Sequence, residues 1–558
     1  MQFIFYILIG VLALVIWSMT NDRNINKRRI IQLKEQWGTP PELEYTAEKF
    51  ESLKTYYQSI KDDHLDVDDI TWNDIDMDDV FMLMNNTQSS IGEEYLYALL
   101  RKPSFSKEEL EERNRLMNFF TDKVDKRIII QKKLYTIGKL TRISVYDYIS
   151  RLDQLKSKSN IPHYLMILGL ILSIVTIFIN PPIGGVLTVL FIANNIFQYY
   201  KEKAEIENYL IVFAYICRLL DGTKDIYRLN ISEIEKYTEA LKKDCDVFKK
   251  FRRGSTMLTP KQAGGSLGDL FLDYIRMLFH IDLIKYNSMM SIFKNNRNVL
   301  NRIFMNVGLL DSMIAAASFR KMIYYFSEPV LEKSKKPYLT VKDLYHPFLK
   351  EPVPNSISED QSVLITGSNA SGKSTFIKTL AINAILSQTI FTSISKSYKA
   401  SYFMIYSSMA LRDNIFNKES YYMVEIKSLK RILDRVNEEI PVLCFIDEVL
   451  RGTNTLERIA ASSRILSYLA KKNTQVFAAT HDIELTHILD KNYSNYHFQE
   501  RIEDNQILFD YALYQGKAVS KNAIKLLDML KFPKEITTAA ENAAEEFLIK
   551  GEWSKIHL

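Results

Sequence analysis

Apolar positions along this chain fall into three textures. Two blocks are apolar on every face: residues 3–19, "FIFYILIGVLALVIWSM", and residues 164–197, "YLMILGLILSIVTIFIN", Pro181-Pro182, "IGGVLTVLFIANNIF". Around them, 20–162 and 198–330 are mixed-charge and follow the helical period. Ile292, Val299, Ile303, Leu310 and Ile314 recur at spacings of 7, 4, 7 and 4, one apolar stripe on a long helix over roughly 270–326 that reads as core. "TPKQAGGSLGDL" (259–270), with Pro260 and three glycines, marks a loop before it. From about 340 the texture changes. Short apolar runs at 362–366, 441–446 and 475–480 alternate with helical stretches, which predicts a mainly parallel sheet covered on both faces. The expected segments are 1–20, 21–162, 163–198, 199–338 and 339–558.

The all-apolar blocks raise the question of a bilayer, since about 20 apolar residues make roughly 30 Å of helix. A cleaved signal peptide needs a basic start, and "MQFIFY" has none; Arg23, Lys27, Arg28 and Arg29 come after the block. The block therefore reads as an anchor with its N-terminus outside. The second block, with Lys156 and Lys158 before it and Lys201 and Lys203 after, reads as a helical hairpin turning at Pro181-Pro182. Its arms are short for a span, and a buried soluble helix pair is the alternative. Three spans would make a multi-pass membrane protein with 20–162 and 198–558 in the cytoplasm. Asp and Glu cluster at 62–79, which is expected to be a solvated face.

Composition narrows the rest only a little. The chain has 558 residues, 25% of them charged, and a net charge of +5, too small at this size to argue for nucleic acid by itself. Cys217, Cys245 and Cys444 lie far apart and match no metal or redox spacing.

The candidate chemistry begins at "ITGSNASGKST". Gly367, four residues, then Gly372-Lys373-Ser374 fits G-x-x-x-x-G-K-[ST], between an apolar strand and a helical segment. Residues Gly367, Ser368, Asn369, Ala370, Ser371, Gly372, Lys373, Ser374 and Thr375 would cradle the phosphates of ATP. Lys373 would neutralise the outer phosphates, and the Ser374 hydroxyl would ligate Mg²⁺. "PVLCFIDEVLRGTNT" (441–455) then delivers Asp447 and Glu448 at the end of a buried strand. Asp447 is placed to hold Mg²⁺ through water, and Glu448 to orient or deprotonate the attacking water. "QVFAAT" ends in His481, which either senses the γ-phosphate or is a structural hydrogen-bonding histidine. The expected fold is a P-loop NTPase α/β domain, preceded by a mostly helical region with transmembrane helices.

These motifs in this order resemble the ATPase domain of the MutS family of DNA mismatch-repair proteins. "TGSNASGKST" is similar to that family's TGPNMGGKST, "IDEVLRGTNT" to its DE-x-GRGT-S/T, "ATHDIEL" to its ATH segment and "SYYMVEI" (420–426) to its ST-F-MVEM. "YALYQGKAVSKNAIKLLDMLKFPKEI" (511–536), "VGLLDSMIAAASF" and "LYHPFL" fit the same pattern, so the strong resemblance covers about 300–558. A weaker one reaches "MNNTQSSIGEEYLYALLRKP" (84–103), similar to the start of the family's helical levers. The resemblance implies that Asn369 sits near the γ-phosphate and its water, that Thr375 supports the phosphate loop, and that two ATPase domains pair. Ser420 would match the signature serine that reaches the partner's nucleotide, and Asp413 an acidic residue earlier in that loop.

The departures are equally specific. The region before residue 84 is too short for the family's mismatch-reading domain and shows no Phe-x-Glu wedge. "LRDNIFNKESYYMVE" lacks the signature glycines, and Leu450 stands where the family has glycine. Three functions compete. The first is a membrane-anchored, homodimeric ATPase of the ABC/MutS-like class that acts on DNA through lever motion. The second has the same engine working on a protein or membrane partner. The third is an ABC transporter, for which "LKRILDRVNEEI" offers no LSGGQ-like signature.

Overall fold

A computed structural model describes residues 24–42, 45–140, 143–151, 159–249, 274–334, 336–368, 371–409, 421–436, 439–503, 506–518 and 531–551, with isolated positions beside these. The proposed anchor at 3–19, the 259–270 loop, Asn369, Ala370, Asp413 and Ser420 lie outside the described residues. The chain forms two compact units, and neither is continuous in sequence. One comprises 1–61, 79–100 and 111–322; the other comprises 62–78, 101–110 and 323–558.

The first unit is helical among its described residues. Its organising contact starts from Asp311, fully buried on the Arg297–Met322 helix. The Asp311 carboxylate accepts the backbone N–H groups of Gln88 (3.0 Å) and Ser89 (2.9 Å) and the Ser89 hydroxyl (2.6 Å). It thus satisfies orphan donors where the Ser90–Arg101 helix begins. The close approach explains the glycine of "TQSSIG": a Cβ on Gly92 would lie 2.2 Å from an Asp311 carboxylate oxygen. The expected helix over 270–326 is broken among the described residues: a turn at 279–280 separates helical 274–278 from Ile281–Asn295, and Asn296 separates that helix from Arg297–Met322. Asn296 leaves the helical region at φ −129° and turns its side-chain amide back to the Ile292 carbonyl. The apolar stripe does face inward, with Ile303, Leu310 and Ile314 buried. The Arg297–Met322 helix is apolar and long enough to cross a membrane by composition, but 67% of its most apolar window is buried inside the protein.

Two other helices long and apolar enough to cross a membrane behave differently. Ile161–Ile179 and Pro181–Ala204 have only 17% of their apolar windows buried, and Phe178 and Ile179 are almost fully exposed. Asn180 breaks them apart. Its side chain accepts the Ile183 N–H, with the prolines at the first helical positions, where no N–H is needed. The arms touch through small residues: a Cβ on Gly169 would sit 2.3 Å from the Phe191 ring, and one on Gly184 would strike the Ile177 backbone. The second arm continues unbroken to Tyr227, a helix of 47 residues. At the foot of the hairpin Asn195 is buried. Its carbonyl faces His280 Nε2 at 3.0 Å, its amide donates to the Leu278 carbonyl, and His280 meets buried His163 at 3.0 Å.

The second unit holds two sheets. β1 (Val330–Glu332), β2 (Leu339–Leu344), β3 (Asn355–Glu359) and β5 (Ser397–Ser401) form one, in the order β1-β5-β2-β3. The larger sheet runs β10-β9-β4-β8-β7-β6, from β4 (Ser362–Thr366), β6 (Met404–Ser408), β7 (Val442–Asp447), β8 (Thr474–Ala479), β9 (Tyr493–Glu503) and β10 (Gln506–Gln515). All its pairings are parallel except β10 with β9. β4, β6 and β8 are buried at every position and β7 at all but its last, which explains their unbroken apolar runs.

The acidic stretch 62–79 is a solvated face only in part: Asp63, Asp69 and Asp79 are exposed, while Asp66 and Asp74 are buried. Residues 69–74 form a short helix on the free edge of β6. Thr71 Oγ1 accepts the Ser407 N–H (3.1 Å), and Asp74 accepts the Ser407 hydroxyl (2.6 Å) and the Met409 N–H (3.0 Å). Asp68 caps this helix and takes both oxygens to Arg431 at 2.6 Å. The acids are there because an edge strand and an arginine offer unpaired donors, and side chains 300 residues away answer them. Composition could not reveal those partners.

Candidate active site

The site assembles at the C-terminal ends of β4, β7 and β8, where parallel sheets leave a crevice. After β4 the chain turns through Gly367 (φ 151°) and Gly372 (φ 108°) into the Lys373–Thr389 helix. Both glycines occupy a region that side chains avoid, and both are close-packed. A Cβ on Gly367 would lie 2.8 Å from the Phe498 carbonyl, and one on Gly372 would lie 3.3 Å from the Tyr511 ring.

Ser371, Gly372, Lys373, Ser374, Thr375, Asp447, Glu448 and His481 line one cavity of about 620 Å³. Lys373 is buried and donates to the carbonyls of Gly367 (2.8 Å) and Ser368 (2.7 Å), so its ammonium lies in the curl of the loop. Burial lowers its pKa, while Asp447, Glu448 and Glu500 pull it back up. Ser374 and Thr375 are exposed to the cavity; the buried Ser371 hydroxyl has no hydrogen-bond partner among the described residues. A cation, an orphaned hydroxyl and a helix N-terminus around one hollow suit a polyphosphate. The Ser374 hydroxyl and the Asp447 carboxylate, both oxygen donors, suit a Mg²⁺ that keeps several waters. Ser368 takes a different part: its hydroxyl donates to Glu500 on β9.

Glu448 sits at φ 61°, just past β7. His481 Nε2 is 2.8 Å from its carboxylate, and Arg451 pairs with it from the other side. The His481 hydrogen bond leads the lowering of the Glu448 pKa, outweighing burial. A carboxylate held ionised can accept a proton from water. His481 thus lines the cavity and has Glu448 as its hydrogen-bonding partner. Its neighbour Asp482 is clamped by Arg458 through two bonds of 2.9 and 2.6 Å, which fixes the end of β8.

Several lining residues escaped the sequence reading. β10 carries an irregularity between Phe509 and Leu513, and Asn355 braces it, donating to the Tyr511 carbonyl (3.0 Å) and accepting the Leu513 N–H (2.7 Å). The bulge carries Tyr511, at φ 52°, to the cavity rim beside Gly372. With Leu349, Val353, Phe376 and Phe498 it gives the cavity an apolar lining, fit for a flat ring. His346 lines the same hollow, its pKa pushed down by burial to about 4, so it is neutral at physiological pH. Arg451 lay inside a quoted motif but had no assigned role; Tyr511 gave no signal because a bulge is not visible in a residue string.

Comparison with known proteins agrees with this geometry. Residues 363–548 match the family model described as MutS domain V. The chain is 29% identical to human MutS protein homolog 4 over 290 residues, 47% of this chain and 30% of that protein. It is 30% identical to the DNA mismatch repair protein MutS of Thermus aquaticus over 200 residues, 35% of this chain and 24% of that protein. It is 26% identical to that of Thermotoga petrophila over 263 residues, 45% of this chain and 32% of that protein. The chain thus spans about a quarter to a third of the length of the curated relatives it matches. The matched stretch, 363–548, is thus similar to MutS domain V, and the structure there is an α/β domain with a phosphate loop after β4.

Proposed function

We propose that this chain binds and hydrolyses ATP in the 620 Å³ cavity and couples the cycle to DNA as a membrane-anchored homodimer. The observation that carries the reading is the convergence of Lys373, Ser374, Asp447 and ionised Glu448 on one hollow. Lys373 binds the outer phosphates, leaving the Gly367 and Ser368 carbonyls for them. Ser374 and Asp447 hold Mg²⁺, which offsets charge on the phosphates when bound. Glu448 orients the attacking water and accepts its proton, with His481 and Arg451 fixing the carboxylate. Asn369 and Ser420 keep the roles that the family resemblance gives them. DNA enters from the relatives, which are named for mismatch repair, and the helical unit would grip it as levers through phosphate contacts.

A second reading keeps the engine and changes the load to a membrane or protein partner. The exposed apolar hairpin 161–204 favours it, because the same helix runs on from the hairpin into the helical unit. The full chain in detergent, with Glu448→Ala as control, tests both. ATP turnover stimulated by duplex DNA, weakening with salt, supports the first. Turnover in the wild type alone, indifferent to DNA, removes DNA and leaves the second. No turnover above the Glu448→Ala control refutes hydrolysis.

A further inference from the structure

One buried carboxylate next to this site has no role in the reading above. Glu425 lies on the Tyr421–Arg435 helix and is 2% exposed. It touches neither the cavity nor a cation at ion-pair distance among the described residues. Its partners are backbone. Oε1 accepts the Arg451 N–H at 3.2 Å, and the N–H groups of Leu450 and Gly452 also turn toward the carboxylate. Oε2 is buried with no hydrogen bond of ordinary geometry among the described residues. Three successive N–H groups converging on one anion form a concave nest. A nest requires successive residues of opposite hand, and this turn has them: Leu450 at φ 59° is followed by Arg451, which is not left-handed.

The turn is therefore an unfavourable backbone, two side-chain-bearing residues in the left-handed region within three positions. Such a conformation persists only where its surroundings hold it. Three contacts do so. Leu450 is buried, the Val449 carbonyl accepts the Ser462 hydroxyl at 3.1 Å, and Glu425 gathers the N–H groups. Gly452 allows the Glu425 helix this near, since a Cβ there would lie 3.2 Å from Tyr422 Cβ. The residue whose aim depends on the turn is Glu448, and Arg451, its salt-bridge partner, belongs to the same turn. The Glu425 helix is itself fixed on its far side by the Arg431–Asp68 pair.

We infer that Glu425 is a positioning residue for hydrolysis: it holds the 448–452 turn so that Glu448 and Arg451 face the phosphates, without touching nucleotide itself. The inference rests on the ATPase reading. It differs from a merely structural role in what it leaves unchanged. Nucleotide binding depends on the phosphate loop and the apolar lining of the cavity, so it survives loss of Glu425. The hydrolytic step does not.

The test uses the full chain, as wild type, Glu425→Gln and Glu425→Ala. It measures Kd for a fluorescent ATP analogue, single-turnover hydrolysis, and hydrogen exchange at the 450–452 amides. The expected result is a Kd within about threefold of wild type in all three. Hydrolysis falls about 10- to 100-fold in Glu425→Ala and less in Glu425→Gln, which keeps one acceptor oxygen. Exchange at 450–452 rises in the same order. Wild-type rates in Glu425→Ala with a functioning wild type overturn the inference and leave the ATPase reading standing. A Kd that weakens in step with the rate also overturns it, in favour of a general structural role. If wild type binds but does not hydrolyse, both readings of the reaction fall, and exchange that is the same in all three shows that the nest does not hold the turn.

Discussion

Replacing Leu450 sets two physical effects against each other at one residue. Its side chain is 3% exposed and belongs to the apolar cluster with Ile446, Val449 and Leu466, while its backbone sits at φ 59°. Removing the side chain in Leu450→Ala costs about 3 kcal/mol from lost burial and the cavity left behind. The strain stays, because alanine is as uncomfortable there as leucine. Leu450→Gly loses slightly more packing and about 0.5–1 kcal/mol to the freer unfolded chain, but releases roughly 1–2 kcal/mol of left-handed strain. Burial exceeds strain, so both variants are less stable than wild type. The order between them reverses the usual one: glycine is expected to be more stable than alanine by about 0.5–1 kcal/mol. Native-state hydrogen exchange at the β7 and β8 amides of the full chain reads the difference. Alanine more stable than glycine by about 1 kcal/mol would refute the strain argument. Either variant matching wild type would refute the burial argument.

Other outcomes follow from contacts described above. Asp74→Ala leaves the Ser407 hydroxyl and the Met409 N–H unpaired at the end of β6, and is expected to cost the second unit about 3 kcal/mol, seen as earlier exchange of the β6 amides. A fragment that begins at residue 323 lacks the 62–78 and 101–110 segments and is expected to aggregate or melt well below the full chain; equal melting would show those segments to be dispensable. Burial raises the Glu94 carboxyl to about 8, against the Val145, Tyr146 and Ser144 donors that favour its charge. The folded chain then keeps a proton that the unfolded chain has released, so stability of the helical unit falls as pH rises from about 4.5 toward 8. Glu94→Gln is expected to flatten that slope in urea midpoints measured across the range; an unchanged slope would assign it elsewhere, Asp311 included, whose carboxyl burial raises to about 6.

What could be read from the sequence was what local chemistry dictates. The Gly367–Ser374 spacing and the strand before Asp447 belong to a few adjacent residues, and Ser371 to Ser374 line one cavity with Asp447. The central strands were visible because burial on both faces writes an unbroken apolar run. Long-range answers were not. The acids at 62–79 have the composition of a wet surface, and partners distant in sequence, Ser407, Arg431 and Lys378 among them, show that part of it is not. The break at Asn296 was hidden because the apolar stripe stays in phase across it. Tyr511 needed the bulge that Asn355 braces.

The split second unit also has a meaning in time. On the ribosome, Thr71 emerges 336 residues before Ser407, its partner at the edge of the sheet. At roughly 5–20 residues per second, that is a wait of about 20–70 s. Through that interval the 69–74 helix, with Thr71 and Asp74 on it, has no β6 edge to bond. The aspartates beside it then serve a purpose the finished fold conceals. A short segment of like charge resists sticking to other exposed chains, and although Arg101 and Lys102 soon reach Asp69 and Asp66, Asp68 stays without its native partner until Arg431 has been made. The carboxylates that brace β6 in the native protein are, earlier, what keeps the segment available to reach it.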